Sequence, residues 1–349
     1  MLYLMSKDIL VAKFENNAMQ VENEALLPLY FKTHDNLDEW LGKRAIDARR
    51  TNSRLLKKAL RLTKRDDVST ALKFNAAKIT DTYWVKDSHS DLTYDDVKFK
   101  SNNYDTLALC RDLNAFNQTP SRTPELTNTG SFEKCWRLIN NEWWMYKSGS
   151  NNAYFSELFI FEFSKKMDFL TAEYEMDGGY IRTKDFTESG KYNHEPMFSL
   201  IDEDEDYSNN FNLIHSMNSS IAADYLKLIY TDTICCNTDR HTDNYGFLRN
   251  PDTGEIVSLS PNYDNNIALI SNRPLSLSNE NDAFTELFVD FLKNNITAKE
   301  MFKSLNIQPL SKQEIEECIQ HVPIKIGYDI ADIILSRQDL LWKQYNQIG

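Results

Sequence analysis

No apolar run in the 349-residue chain approaches the roughly 20 residues needed to cross a bilayer. The opening residues, Met1 to Asp8, lack the basic stretch followed by a long apolar one that marks a secretory signal, so a cytoplasmic protein with no membrane contact is expected. The five cysteines (Cys110, Cys135, Cys235, Cys236 and Cys318) are odd in number and scattered, which excludes a disulfide framework. Cys235 and Cys236 are adjacent and cannot form a metal knuckle, so the expectation is reduced thiols in apolar surroundings. No internal repeat, heptad run or long low-complexity segment is present. No base-reading motif or helix-turn-helix appears either, and a net charge of -13 argues against a general nucleic-acid coat. No direct nucleic-acid contact is expected, although a local basic face remains open.

What is present is globular. Hydrophobic residues make up 41% of the chain and aromatic ones 12%, values that exclude a disordered protein. The length suits two domains or one large two-lobed one.

The chain is organised around Cys236 to Phe247, a polar stretch following an apolar, helix-like run. A second short block, Ser260 to Asn266, follows soon after. Between them lies a hairpin signature: Tyr245 to Leu248, a turn over Asn250 to Gly254, then Glu255 to Leu259. A tight hairpin folds Asp264 back beside Asp239 and Asn244. Two carboxylates so placed repel unless a cation or a shared proton intervenes. Hard oxygen ligands of this kind suit Mg²⁺, which keeps waters and takes phosphate oxygens too. An Asp, an Asn five residues on and a second Asp after a hairpin match the catalytic layout of kinases.

Asp239-Arg-His-Thr-Asp-Asn244 resembles the catalytic loop of phosphoinositide-3-kinase-like kinases. The longer pattern, Asn237 to Leu248 followed by Ser260-Pro-Asn-Tyr-Asp264, resembles HipA-like serine/threonine kinases more closely. The resemblance covers roughly residues 123–345, and the rest of the chain loosely: Thr80 to Lys86 with Asp91 to Val97 is similar to the N-terminal part of HipA-domain proteins from low-GC Gram-positive bacteria. The fold so implied is α+β and two-lobed, protein-kinase-like, with a small antiparallel-sheet N-lobe, a large helical C-lobe and an additional N-terminal segment. The boundaries expected are 1–110, 111–186 and 187–349.

ATP and Mg²⁺ are the cofactors implied. Asp239 would orient or deprotonate the acceptor hydroxyl, and Asn244 and Asp264 would hold the metal. His241 would either stabilise developing charge or act as a structural hydrogen-bonder. Upstream, Asn128-Thr-Gly130 leads through Ser131 into a strand, a turn at Asn140-Asn141 and a second strand ending in Lys147. Such a unit covers ATP phosphates in kinases, with turn N–H groups and the lysine reaching them. Its single glycine departs from the glycine-rich pattern of eukaryotic-type kinases, and HipA-like kinases also lack that pattern. Lys147 is otherwise a plain strand-end lysine. Thr127, Thr129 and Ser131 are candidates for phosphorylation, or their hydroxyls merely satisfy a turn.

Asn151 to Met167 reads as a helix. Glu157 on it is the natural partner of Lys147, and Glu162 the alternative. Glu173 to Phe186 reads as a hairpin carrying the chain across the lobe junction, with backbone groups from Thr183 through Asp185 to Phe186 near adenine by resemblance. Residues 187–212 read as a mobile surface loop whose acidic run, Asp202 to Asp206, is no metal site. Ser219-Ser220 then caps a helix running through Cys236. From Asn281 onward the pattern is helical. Residues 100–122 read as a connection.

The basic stretch Lys43 to Arg65 is either a helix for nucleic acid or an acidic partner, or a helix packing Leu55, Leu56, Ala59, Leu60 and Leu62 on the kinase body. The second fits an acidic chain better. The acceptor implied by resemblance is a protein Ser or Thr, and a toxin role would bring a helix-turn-helix antitoxin as partner. The rival readings are a lipid or small-molecule kinase and a nucleotide-binding pseudokinase acting as an interaction module.

Overall fold

The computed structural model describes residues 1–15, 18–64, 66–269 and 282–348. The fold is α+β, with three small antiparallel sheets and many helices. The chain packs as two compact units. One comprises Met1–Gly149, Met176–Leu200 and Phe247–Ser258; the other comprises Ser150–Glu175, Ile201–Gly246 and Leu259–Gly349.

In the first unit, β1 (Leu2–Ser6), β2 (Ile9–Glu15), β3 (Ala18–Val21) and β4 (Tyr83–Asp87) form a sheet in the order β3-β2-β1-β4. Successive side chains of a strand face opposite sides, and this sheet buries both. Leu4, Val11, Ala12, Phe14, Tyr83 and Val85 pack into a core with Tyr30, Phe31, Trp40 and Leu41. Met5 and Trp84 point the other way, into a core with Leu56, Leu60, Trp136, Trp143 and Tyr146.

A second sheet comprises β5 (Lys134–Ile139), β6 (Glu142–Lys147), β7 (Tyr174–Asp177) and β8 (Tyr180–Lys184), in the order β5-β6-β8-β7. Its two hairpins turn on pairs with positive φ, Asn140-Asn141 and Gly178-Gly179. Such pairs match the right-handed twist of the flanking strands. The third sheet is β9 (Asn193–Pro196), β10 (Gly246–Arg249) and β11 (Ile256–Leu259), in the order β11-β10-β9. Gly254 closes the β10–β11 turn at φ +76°, and a Cβ there would lie 1.7 Å from the Ala25 carbonyl oxygen. No other residue fits.

The second unit is mainly helical. Asn151–Lys166, Tyr207–Met217, Ser219–Cys235, Ala283–Asn294, Ile296–Leu305, Lys312–His321 and Ile330–Tyr345 are its longer helices. Phe159, Phe163, Ile229, Tyr230, Ile234, Phe288, Phe302 and Ile334 are among its buried apolar residues. Among the described residues no helix is long and apolar enough to cross a membrane.

Several sequence expectations need correction. Residues 100–122 are more than a connection: Asp105–Cys110 is helical and puts Leu107, Ala108 and Leu109 into the core. Residues 187–212 are not one surface loop. Asn193 and Glu195 lie in β9 and are buried, the Asn193 carboxamide oxygen taking the Thr82 N–H at 2.8 Å and Glu195 pairing with Arg249 at 2.5 Å. A polar strand whose partners are polar and distant in sequence looks solvated when read alone. Asp206 caps the helix that follows it, accepting from Asn209 N–H. The helix Ser219–Cys235 is capped by Asn218, not by Ser219-Ser220, and Cys236 ends it in the left-handed conformation. The segment at Asn281 lies outside the described residues.

Among its described residues the basic stretch contains one short helix, Ser53–Ala59. Leu56, Leu60 and Leu62 are buried in the core, as the packing alternative required. Several of its charges are turned inward. Arg44 makes a bidentate pair with Asp81 at 2.8 and 2.7 Å, Arg50 has no exposed side-chain surface, and Lys57 pairs with Asp67 at 3.2 Å. Arg44 and Arg50 are committed to buried carboxylates and carbonyls, while the Lys57 partner Asp67 is exposed.

Candidate active site

The loop after helix Ser219–Cys235 is built on one buried arginine. Asp232 lies in the last turn of that helix, and a carboxylate there needs a cation or several donors. Arg240 supplies it, with Nε 2.8 Å from Oδ2 and Nη2 3.0 Å from Oδ1. The guanidinium goes further. Nη1 donates to the carbonyls of Asn244 (2.7 Å) and Tyr263 (2.9 Å), and Nη2 to the side-chain oxygens of Asn262 (2.7 Å) and Asn265 (2.8 Å). The planar fork of Arg suits such a junction, where Lys would offer one point charge. One side chain thus ties together the helix end, the loop Asn237–Asn244 and the block Asn262–Asn265.

Smaller contacts complete the frame. The Asn237 carboxamide donates to Asp232 Oδ1 (3.0 Å) and Asn265 Oδ1 (3.1 Å), while its own oxygen accepts the Asp239 N–H at 3.1 Å. Asn244 Nδ2 donates to the Asp239 carbonyl at 2.8 Å. That bond sets the amide and turns Oδ1 away from it. The block at 262 is fixed to the chain at 170–172, where Ala172 N–H donates to the Asn262 carbonyl (3.0 Å) and Asn262 N–H to the Leu170 carbonyl (3.1 Å). Asp264 adopts φ +59°, and its N–H donates to the Tyr174 hydroxyl at 3.0 Å. Glu157 is buried and accepts the Asn265 N–H at 2.9 Å. Glu162 instead faces His321 (3.2 Å) and Lys165 (3.9 Å).

Burial holds the Asp239 carboxyl above the usual carboxylate range. The neighbouring Asp264 charge adds to this, while His241 and Arg240 oppose it. A second negative charge nearby disfavours ionisation in the same direction as burial does. The His241 Nδ1 accepts the Asp243 N–H at 3.3 Å, which leaves Nε2 as the ring nitrogen able to donate. The side-chain oxygens of Asn244 and Asp264 are of the hard kind that Mg²⁺ takes.

The remaining candidates lie in the first unit. Gly130 has φ +100°, a left-handed conformation suited to glycine, and the Lys134 ammonium lies against it, 2.2 Å from where a Cβ would sit. Thr129 and Ser131 are exposed, whereas Thr127 is buried with its hydroxyl donating to the Pro124 carbonyl at 3.2 Å. Lys147 ends β6, is 7% exposed and is paired across the strands with Lys134 and Ile181. Thr183 lies buried on β8 opposite Met145. Asp185 is buried and its carboxylate is occupied locally, accepting from Thr187 N–H (2.9 Å), Thr187 Oγ1 (2.6 Å) and Ser189 N–H (2.9 Å). Its own N–H donates to the Trp143 carbonyl at 2.9 Å.

Reading the sequence missed the frame: Asp232, Asn237, Arg240, Asn262, Asn265 and Tyr174 were given no role. One signal was available. An aspartate in the apolar second half of a helix is rarely buried without a partner, and the arginine eight residues on could supply it.

No protein-family model matches the chain, and no curated protein matches it. Solved structures do. The chain is similar to HipA of the Shewanella oneidensis MR-1 toxin–antitoxin system, solved with HipB and operator DNA. The TM-score is 0.57 at 12% identity, over 99% of this chain and 97% of that one. It is also similar to the Helicobacter pylori proinflammatory kinase CtkA, with a TM-score of 0.47 at 18% identity over 62% of this chain and 94% of that one. The first likeness spans nearly the whole of both chains and shows the HipA-like fold.

Proposed function

We propose that the protein is an ATP- and Mg²⁺-dependent kinase that transfers the γ-phosphoryl group to a Ser or Thr hydroxyl of a protein. The observation that carries the reading is the junction at Arg240. It fixes the Asp239–Asn244 loop and the Asn262–Asn265 segment in one frame, with the Asp239 and Asp264 carboxylates in each other's field. A frame of this kind suits phosphoryl transfer, in which catalysis is mostly positioning and charge stabilisation.

In this reading the Asp239 carboxylate orients the acceptor hydroxyl and takes its proton as the oxygen attacks. Its raised pKa makes it a better base than an ordinary aspartate. Asn244 and Asp264 are the residues that would hold Mg²⁺, which when bound screens phosphate charge. Lys147 neutralises the phosphates, and the turn containing Gly130 and Ser131 offers them N–H groups. His241 donates from Nε2 toward developing charge. The chain segment Thr183–Asp185 offers backbone groups to adenine. A toxin role belongs to the same reading, with a DNA-binding antitoxin as partner. Its support is the whole-chain likeness to a toxin–antitoxin component.

The test is Mg²⁺-dependent incorporation of label from γ-labelled ATP into the protein itself and into a cell lysate. Wild type and Asp264→Ala are run side by side. Labelled protein bands with wild type, lost in the variant, are expected. Binding of Mg²⁺–ATP with no labelled protein would move the acceptor to a lipid or small molecule, or make the chain a pseudokinase. Absence of nucleotide binding would sink the site assignment.

A further inference from the structure

The turn from Asn128 to Lys134 is pinned at both ends by one buried side chain. Arg50 Nη1 donates to the Asn128 carbonyl at 3.4 Å, and Nη2 donates to the Lys134 carbonyl. Beneath it lies Glu125, 3.6 Å from Nη2, with both side chains fully buried. Glu125 Oε1 accepts the Trp136 N–H (2.8 Å) and the Asn102 carboxamide (2.7 Å), fixing the strand into which the turn runs. From the outer side the Thr51 hydroxyl (2.8 Å) and Arg111 Nε (2.6 Å) donate to Glu133 Oε1. Ile46 N–H donates to the Leu126 carbonyl at 2.8 Å. Between these anchors Thr129, Ser131 and Phe132 face solvent.

A trans peptide sets what this does. No cis bond is present among the described residues, so the C=O of Asn128 and the N–H of Thr129 point in opposite directions. Drawing the carbonyl down to Arg50 turns that N–H to the open side of the turn. A turn held in this way needs little further ordering when a ligand arrives.

We propose that Arg50, supported by Glu125, is a positioning residue for nucleotide binding. It pre-sets the Asn128–Lys134 turn so that its N–H groups meet the phosphates. The inference rests on the kinase reading and extends it, because it gives the N-terminal basic stretch a part in nucleotide binding through the fold.

Arg50→Met alone strands a buried carboxylate, so the main variant is Arg50→Met with Glu125→Gln, which removes both charges and leaves the volumes filled. Two quantities are read on the full chain: amide hydrogen exchange of residues 127–133 without nucleotide, and Mg²⁺–ATP affinity by calorimetry. The double variant should keep its far-UV circular dichroism, exchange the turn faster, and bind nucleotide about tenfold more weakly, the scale of one lost charge-assisted hydrogen bond. Arg50→Lys, which keeps the charge on a single nitrogen but not the planar fork, should fall between it and wild type in both readouts. Wild-type exchange in the double variant, or faster exchange with unchanged affinity, would overturn the proposal. A wild-type protein that binds no nucleotide would remove the kinase reading and this inference together. A double variant that binds as tightly as wild type would remove the inference alone.

Discussion

Burial of the Asp239 carboxyl raises its pKa, and the Asp264 and Glu205 charges add to that against His241 and Arg240. A carboxyl whose folded pKa lies above its unfolded value, about 3.9, holds more protons folded than unfolded. Ionising it therefore costs stability: the cost is absent below the unfolded pKa and fully present above the raised folded one. Asp239→Asn removes the charge and leaves the backbone bonds of residue 239 to Asn237 and Asn244 in place. The variant should be more stable than wild type at pH 7, by no more than about 1 kcal/mol after solvent screening, and the gain should vanish as the pH falls below about 3.9. It should also lose phosphoryl transfer. Urea midpoints across that pH range check the first point, and a variant less stable than wild type at pH 7 would contradict it. Asp239, Asn244 and Asp264 stand out in the sequence because the proposed phosphoryl transfer calls for those residue types at that spacing. Arg240 was visible within the same motif, but its contacts come from residues on both sides of the hairpin, and no local pattern announces them.

Helix Ser219–Cys235 ends where the candidate loop begins, so whatever holds its last turn also sets the loop. Arg337, on helix Ile330–Tyr345, donates from Nε to the Ile234 carbonyl (2.8 Å) and from Nη2 to the Thr233 carbonyl (2.6 Å). Those carbonyls belong to the last turn, which has no intrahelical partners for them, and a cation there also meets the negative end of the helix dipole. The same guanidinium pairs with Asp282 at 2.5 Å, and Asp282 caps helix Ala283–Asn294. Arg337→Met should lose about 3 kcal/mol of stability, since it leaves Asp282 without its cation. Amide exchange should rise across residues 233–244. A stability loss with unchanged exchange there would assign Arg337 to general packing. At this scale the sequence was readable where period and turn agree, as in the hairpins turning on Asn140-Asn141 and Gly178-Gly179 and in helix Asn151–Lys166. It misled at 187–212, where buried Asn193 and Glu195 satisfy partners more than 50 residues away. Polarity there reflects a buried network, which composition cannot distinguish from a solvated loop.

At the scale of the molecule, the first 110 residues look separable in sequence, being basic in part and outside the strongest resemblance. The packing argues otherwise. The core that holds Met5, Ile46, Leu56, Leu60, Trp84 and Leu107 also holds Leu126, Cys135, Trp136, Trp143 and Tyr146. Hydrogen bonds also tie the first 110 residues to the later chain. Arg249 donates to the carbonyls of Leu27 (3.0 Å) and Ala25 (2.9 Å) and to Glu195 (2.5 Å), while the Tyr83 hydroxyl donates to Glu195 at 2.9 Å. Arg50 and Glu125 form a further buried pair across the proposed boundary at residue 110. Deleting residues 1–110 would expose Trp136, Trp143 and Tyr146 and strip Glu125 of its cation. Each large buried aromatic contributes on the order of 3 kcal/mol to stability, and a buried carboxylate without its cation costs a similar amount. That sum, about 12 kcal/mol, would remove most or all of the roughly 5–15 kcal/mol by which a domain is stable. A fragment of residues 111–349 should therefore be insoluble or lack a cooperative melt, and should bind no nucleotide although it contains Asp239, Asn244 and Asp264. If that fragment instead unfolds cooperatively by circular dichroism and binds Mg²⁺–ATP with wild-type affinity, the N-terminal segment is an appendage and the role given to Arg50 falls with it.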